Sequence, residues 1–497
     1  MSAMGIAKYF KQLAGESMVY GLSGVTIRLI GIFLIPVYTR IFKPSDYGVI
    51  SLIEVAVVFV TMITILGLDT SAPRWYYDSS DPQSQRATIA AFFWTYLTAS
   101  LLTAGILVVC ASLVSMFLFG TAAYGHLLQL ACCSLPLQVA SSVMIRLFRF
   151  QRRPVATVLF SLGISLSHIG LTILFVVVWE KGLVGIYLSR IVTNLLSTII
   201  AVGILGTWIA PRRFSSSLVF DMLRYGLPMV PAYFGLWVIT SIGQYSLNIF
   251  SDTGEVGLYA IALSIGSAVA LVTGAFQQAW IPFAFSLLNE KDSKIVYSRV
   301  LDLYSFLGCV LCTALALCAP YILWLLTTPA YYGAAKTVPF LAFACLLQCM
   351  SHIAGLGAAI DKKPIPYAKS IAIGLVTSIV FTFGLVPFFG RNGAATAIMA
   401  THACIAVYLF AASQKCYYIP YRFRPALICF GVSWLLIGID RFLLPNSGVL
   451  VFAMRIFMCL LFIPVAFLTG IVRPYHLKGF LHRGRERDKD NTAWRTE

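Results

Sequence analysis

The sequence predicts an all-α polytopic membrane protein of about fourteen transmembrane helices: two six-helix parallel repeats, then two C-terminal helices, with both termini on the inner side. Three observations predict it. Apolar residues make up 59% of the chain and charged residues 11%, with a mean hydropathy of +0.86, whereas soluble domains carry roughly 25% charged residues. Apolar runs long enough to cross a hydrocarbon core of about 30 Å recur from end to end. Lysine and arginine collect in alternate loops, as short loops retained on the cytoplasmic side require.

Taken in order, the runs fall near 18–41, 47–68, 87–119, 126–148, 155–179, 183–208, 225–250, 257–288, 300–326, 337–360, 368–389, 393–413, 425–444 and 448–472. The first is too long for the apolar core of a cleavable signal, about 7–15 residues, so it is read as a helix that stays. Of the 36 Lys and Arg residues, only Arg40, Lys43, Lys181, Lys336, Arg391 and Arg441 fall in loops on the far side, and Arg28, Arg190 and Arg455 fall inside runs. All the others share the side of the N-terminus, which is therefore read as cytoplasmic together with the C-terminus. This distribution also accounts for the net charge of +17: the basic residues are spread over inner loops, with no folded basic unit to engage nucleic acid. The run His482, Arg483, Arg485, Arg487 and Lys489 is read as a juxtamembrane tail beside anionic membrane lipid.

The loops between runs are too short for a soluble catalytic domain, and the chain has no phosphate-binding glycine loop, His-Glu metal motif or nucleophile elbow. Glu54 is the one carboxylate placed well within a run. No catalytic residue, cofactor or metal is assigned, and the chain is read as a transporter rather than an enzyme. The pairs Cys132-Cys133, Cys309-Cys312 and Cys345-Cys349 lie in apolar helices, where cysteine is an ordinary packing residue. His168, His352 and His402 are read as hydrogen-bonded interhelical residues rather than a proton relay.

An internal repeat organises the chain. Tyr20-Gly21-Leu22 pairs with Tyr225-Gly226-Leu227, Asp46-Tyr47-Gly48 with Glu255-Val256-Gly257, Arg152-Arg153-Pro154 with Lys362-Lys363-Pro364, and Gly185 with Gly393, each at an offset of about 205–210 residues. The expected units are 1–210 and 211–416, each of six helices, then the extra helices of 417–472 and the basic tail of 473–497. Two parallel halves rocking around a central site form a recurring alternating-access design.

The stretch Tyr20-Gly21-Leu22-Ser23, Phe33-Leu34-Ile35-Pro36-Val37-Tyr38-Thr39-Arg40, Pro44-Ser45-Asp46-Tyr47-Gly48, Leu66-Gly67-Leu68-Asp69 and Arg74-Trp75-Tyr76-Tyr77-Asp78 resembles the N-terminal signature of the polysaccharide transport family. That family belongs to the multidrug, oligosaccharidyl-lipid and polysaccharide exporter superfamily. The resemblance implies a V-shaped pair of six-helix halves in the bacterial inner membrane. The implied substrate is undecaprenyl diphosphate carrying a short oligosaccharide, flipped outward for O-antigen, capsule or exopolysaccharide, with polysaccharide polymerase machinery as a possible partner. Relatives that flip lipid-linked peptidoglycan precursor set cavity arginines against the diphosphate, a placement that Arg28 matches.

The residues suit that chemistry. Guanidinium recognises phosphate oxygens in pairs, and a cation in the middle of a run normally faces a polar cavity or a partner. Arg28 is the first candidate, followed by Arg190 and Arg455, each about 10 Å inside the outer boundary. Glu54 is placed to neutralise Arg28 or Arg40, or to bind a coupling cation. Arg74 and Asp78 form either a salt-bridged turn or a contact with the entering headgroup. Gln244, Asn248, Gln277 and Gln278 are candidates for sugar hydroxyls or for interhelical hydrogen bonds. Three other readings remain: a drug or cation antiporter, disfavoured by so few acids; a peptidoglycan-precursor flippase; and a membrane polysaccharide polymerase or ligase, which would want a large outer loop.

Overall fold

The computed structural model describes residues 33–288, 290, 292–443 and 448–471, with backbone alone at 275, 278, 279, 443 and 449. Arg28, the Tyr20-Gly21-Leu22 motif and the tail of 473–497 lie outside this set. The described residues are helical, with no strand among them. In order they form α1 (33–41), α2 (Pro44–Thr64), α3 (Leu68–Asp78), α4 (Pro82–Phe119), α5 (Gly125–Leu137), α6 (Val139–Phe150), α7 (Pro154–Thr172) and α8 (Gly182–Leu205). There follow α9 (Ser216–Gly226), α10 (Val230–Phe250), α11 (Thr253–Gly266), α12 (Val269–Ser286), α13 (Ser293–Leu326), α14 (Val338–Ala354) and α15 (Leu356–Ile360). The chain closes with α16 (Ile365–Cys416), α17 (Phe423–Leu443), α18 (Val449–Leu460) and α19 (Phe462–Leu468).

Local sequence explains the ends. Pro44, Pro82 and Pro154 open their helices at positions where no backbone N–H is needed. The Asp81 carboxylate accepts from the Ser84 N–H at 2.9 Å and that of Asp252 from the Glu255 N–H at 2.9 Å, satisfying donors that a helix start leaves open. Pro136 is the penultimate residue of α5, and the chain bends by 41° between α5 and α6. At that bend the carbonyls of Ser134 and Leu137 accept from the Asn194 amide and the Thr198 hydroxyl of α8. Broken helices inside a membrane are tolerated where neighbours supply such partners.

Ten helices among the described residues are long and apolar enough to cross a membrane, or eleven with the bent pair α5–α6 counted as one span. The difference from about fourteen runs has physical causes. The run near 257–288 is divided into α11 and α12 at Ser267 and Ala268. The runs near 368–389 and 393–413 appear as one 52-residue helix, α16, broken within by Gly390 at φ 52°, ψ −133°. At about 1.5 Å per residue α16 would be over twice the hydrocarbon thickness if straight, so the Gly390 break divides two crossings. The run near 18–41 is described only from residue 33.

Two apolar cores flank the middle. One gathers Phe92, Tyr96 and Met144 with Met222 from α3, α4, α6, α8 and α9; the other gathers Trp280, Phe343 and Leu346 from α12, α13, α14 and α17. Between them the helices meet by backbone contact. α2 lies on α11 where Gly48 faces Gly257: a Cβ on Gly257 would stand 1.9 Å from the Pro44 carbonyl oxygen, and one on Gly48 would stand 1.8 Å from that of Thr253. At the other end of the bundle Gly67 meets Gly226, where a Cβ on Gly226 would stand 2.6 Å from the Gly67 carbonyl oxygen. The turns before α7 and α16 have one geometry. Arg152 and Lys362 are left-handed (φ 53° and 55°), and the N–H groups of Arg153 and Lys363 reach back to the carbonyls of Phe148 (2.8 Å) and Ala358 (2.9 Å).

Gly257→Ala is expected to lower stability by about 1–3 kcal/mol through overpacking, read as a lower Tm of the detergent-solubilised protein. Gly384→Ala, whose Cβ meets nothing within 4 Å, should leave Tm unchanged.

Candidate functional site

The described residues enclose two cavities that differ in chemistry. The first, of about 680 Å³, lies among α1–α3, α6–α8 and α10 and is bordered by Glu54, Asp69, Arg146, His168, Arg190 and Asn194, with Gln138 and Tyr233. Arg190 Nη2 is 2.6 Å from Glu54 Oε1, and the two side chains retain 23% and 34% exposure. Glu54 lies ten positions into α2 and Arg190 eight into α8, so both sit about 12–15 Å from the N-terminal ends of their helices. A guanidinium at that depth needs a counter-charge. Glu54 was expected to neutralise Arg28 or Arg40, or to bind a coupling cation; among the described residues its partner is Arg190, which reaches across the cavity wall. Arg40 is exposed and pairs with no acid among the described residues.

His168 was read as a satisfied interhelical histidine, but its Nε2 is buried without a hydrogen-bond partner at the cavity wall. Asp69 Oδ1 is likewise unpartnered. Arg146 places Nη1 3.3 Å from the Ser142 carbonyl and its guanidinium over the Phe92 ring at 5.7 Å. These three residues were not among the candidates, and Arg146 was counted with the inner loops. A signal was present: Ser142, Arg146 and Arg149 recur at spacings of four and three on α6, one helical face. That face borders a smaller cavity of about 430 Å³, together with Asp69 and Phe150. The two cavities share Asp69 and Arg146, so a polar path runs from the basic-loop end of α6 to the Arg190–Glu54 pair.

The second large cavity, of about 640 Å³, lies among α1, α2, α10–α12, α14 and α16. It is bordered by Tyr47, Thr240, Ser264, Ser267, Gln348 and His402 among apolar residues, with no Asp, Glu, Lys or Arg in its described lining.

The remaining candidates lie elsewhere. Gln244 is buried and accepts from the Ser51 hydroxyl at 2.7 Å, and the Asn248 amide donates to the Leu118 carbonyl; both hold helices together. Gln277 is half-buried on α12 and borders neither cavity, and the Gln278 side chain is outside the described set. Arg74 is exposed, lies 5.0 Å over the Tyr225 ring and makes no ion pair with Asp78. Its neighbour Trp75 meets the same ring edge-on, so this pair joins α3 to α9. Arg455 on α18 is closed on Asp440 of α17, with Nε to Oδ1 at 2.6 Å and Nη2 to Oδ2 at 3.3 Å, exposed by only 3% and 10%. Its charge is met within the two C-terminal helices, apart from either cavity.

The helical bundle and its charged intramembrane cavity define a multi-pass membrane protein with the fold of known transporters. Over 91% of its length the chain superimposes on 98% of the lipid II flippase MurJ in an inward closed conformation, with a TM-score of 0.69 and 11% identity. It is also similar to the inward-facing conformation of a multidrug resistance MATE family transporter of the MOP superfamily, with a TM-score of 0.58 at 14% identity, covering 80% of this chain and 94% of that one. At these identities the likeness is one of fold. The chain belongs to the family described as Polysaccharide biosynthesis protein, which matches residues 13–288 and so contains the signature read at Tyr20 to Asp78. Lsg locus putative protein 1 of Haemophilus influenzae is 19% identical over 302 residues, 59% of this chain and 71% of that protein.

Glu54→Gln and Arg190→Gln should each lower the Tm by leaving one charge unmatched, while the double variant recovers most of the loss. A double-mutant cycle is expected to give a coupling of about 1–2 kcal/mol, moderated by the partial exposure of both groups.

Proposed function

We propose that this protein is a flippase that carries undecaprenyl-diphosphate-linked oligosaccharide from the cytoplasmic to the outer leaflet of the bacterial inner membrane for surface polysaccharide such as O-antigen or exopolysaccharide. The observation that carries the reading is the path of guanidiniums from Arg149 through Arg146 to the half-open Arg190–Glu54 pair. A diphosphate diester brings about two negative charges and several strong acceptors. Arg146 receives it near the basic loops, and Arg190 exchanges the Glu54 carboxylate for a phosphate oxygen of the same charge. The ion pair thus keeps the guanidinium matched in the empty protein and yields to a ligand of equal chemistry. Arg28, outside the described residues, is a further candidate cation by its place in the first apolar run.

The hydroxyl, amide and imidazole groups of the uncharged cavity receive the sugars, which offer donors and acceptors but no obligatory charge. The chain crosses the membrane about fourteen times with both termini inside, and the units 1–210 and 211–416 rock against each other. The matched turns at Arg152 and Lys362, and the glycine contacts at both ends of the bundle, support that division. A drug or cation antiporter would want acids free of guanidiniums, whereas Glu54 is held by Arg190 and the same cavity carries Arg146 beside Asp69. Moving two negative charges outward across an inside-negative membrane releases about 4–5 kcal/mol per 100 mV, so the membrane potential drives export.

Leaflet-resolved labelling of lipid-linked oligosaccharide tests the site. Arg146→Ala and Arg190→Ala should each slow translocation about 10-fold or more, the value of a charge-assisted hydrogen bond, and Arg190→Lys should be intermediate because it keeps the charge but not the fork. Normal translocation by a well-expressed Arg146→Ala/Arg190→Ala protein would overturn the reading. In vesicles, collapsing the membrane potential at constant pH gradient should slow flipping; an unchanged rate would remove the potential as the driving force.

A further inference from the structure

A further cavity, of about 320 Å³, lies at the base of α13 and α17, apart from the two large ones. It is bordered by Arg299 and Asp302 of α13, Arg422 just before α17, and Gly470 and Ile471 after α19. Asp302 is 8% exposed, and its Oδ1 is buried with no hydrogen-bond partner among the described residues. Neither Arg299 nor Arg422 approaches within ion-pair distance of it, although both border the same space. The Ser298 hydroxyl is used by the Pro420 carbonyl at 2.8 Å. A buried carboxylate oxygen left open beside two unpaired guanidiniums is costly unless a ligand completes it.

Position narrows the ligand. α13 has 34 residues, about 51 Å of helix against a hydrocarbon core of about 30 Å. From Leu303 to Leu326 it carries no charged residue, whereas Lys294, Arg299 and Asp302 precede that run. Asp302 therefore stands where hydrocarbon meets headgroups, on the side of the basic loops. Charge narrows it further. Two guanidiniums and one carboxylate leave one positive charge in excess. A phosphodiester with an uncharged headgroup cancels it, but a zwitterionic headgroup does not. The open Oδ1 asks for a donor.

We propose that this cavity binds the headgroup of an anionic glycerophospholipid bearing free hydroxyls, of which phosphatidylglycerol is the simplest. The phosphate sits between Arg299 and Arg422, and a headgroup hydroxyl donates to Asp302 Oδ1. The lipid so held ties α13 to α17, the first of the two C-terminal helices, independently of the transported substrate.

The test is native mass spectrometry of the full-length, delipidated protein with phosphatidylglycerol, phosphatidylethanolamine and inorganic phosphate. The wild type should retain phosphatidylglycerol about ten-fold better than phosphatidylethanolamine, a difference of one charge-assisted contact. Arg299→Gln/Arg422→Gln should abolish that preference without changing the lipid-free Tm, since both side chains are exposed. Equal retention of the two lipids by the wild type, or undiminished preference in the double arginine variant, would overturn the proposal. Displacement of the lipid by millimolar inorganic phosphate would overturn the lipid assignment in favour of a free-phosphate site.

Discussion

A guanidinium inside a bilayer must be matched by an opposite charge, and the arrangement of this protein depends on how that requirement is met. Among the described residues it is met in two different ways. Arg455 and Asp440 form a two-pronged pair with almost no exposure, and Tyr321 lies against the guanidinium with ring centroid 5.2 Å away. Arg190 and Glu54 form a single close contact at the wall of a cavity, and both remain partly open. The chemistry is shared, yet the first pair is sealed into helix packing while the second has a free side from which another anion can approach. Exposure, rather than residue type, separates an anchor from a site.

The backbone contacts set where such a site can form. α2 touches the second half of the chain near both ends, at Gly48 on Gly257 and, just beyond its last turn, at Gly67 on Gly226. Where backbones meet this closely there is no room for a cavity; between the two contacts α2 meets α10 through side chains, at Ser51 on Gln244 and Val55 on Trp237. Glu54 falls in that interval, on the same helix that makes the outer contact. The two large cavities thus open on either side of a shared helix, with opposite electrostatic character.

Much of this was legible in the sequence because membrane helices announce themselves by length and apolarity. The boundary between the runs ending at 389 and beginning at 393 falls at Gly390, where α16 breaks. The paired basic-proline turns at Arg152 and Lys362 adopt one conformation, as their matching residues suggested. Less legible was helix rotation. No local pattern says that Glu54 faces Arg190 rather than Arg40, because that choice depends on how α2 and α8 are packed. Gln244 and Asn248 read equally well as sugar ligands or as helix glue until their partners, Ser51 and Leu118, were in place. Arg146 was hidden by its position near the end of an apolar run, where a residue counted for topology is easily passed over for chemistry. Ser267 and Ala268 divide the run near 257–288 without proline or a charge to signal the break.

The absence of formal charge from the described lining of the second cavity bears on selectivity. A pocket furnished with hydroxyls, an amide and an imidazole distinguishes sugars by contour and by the count of bonds they can exchange for water, and differences of that kind are small. The guanidinium path, by contrast, meets on the proposed function a pyrophosphate linkage that is the same whatever glycan hangs from it. On the proposed function, such a carrier grips the common handle firmly and the variable cargo loosely, leaving the choice of glycan to the enzymes that assemble it.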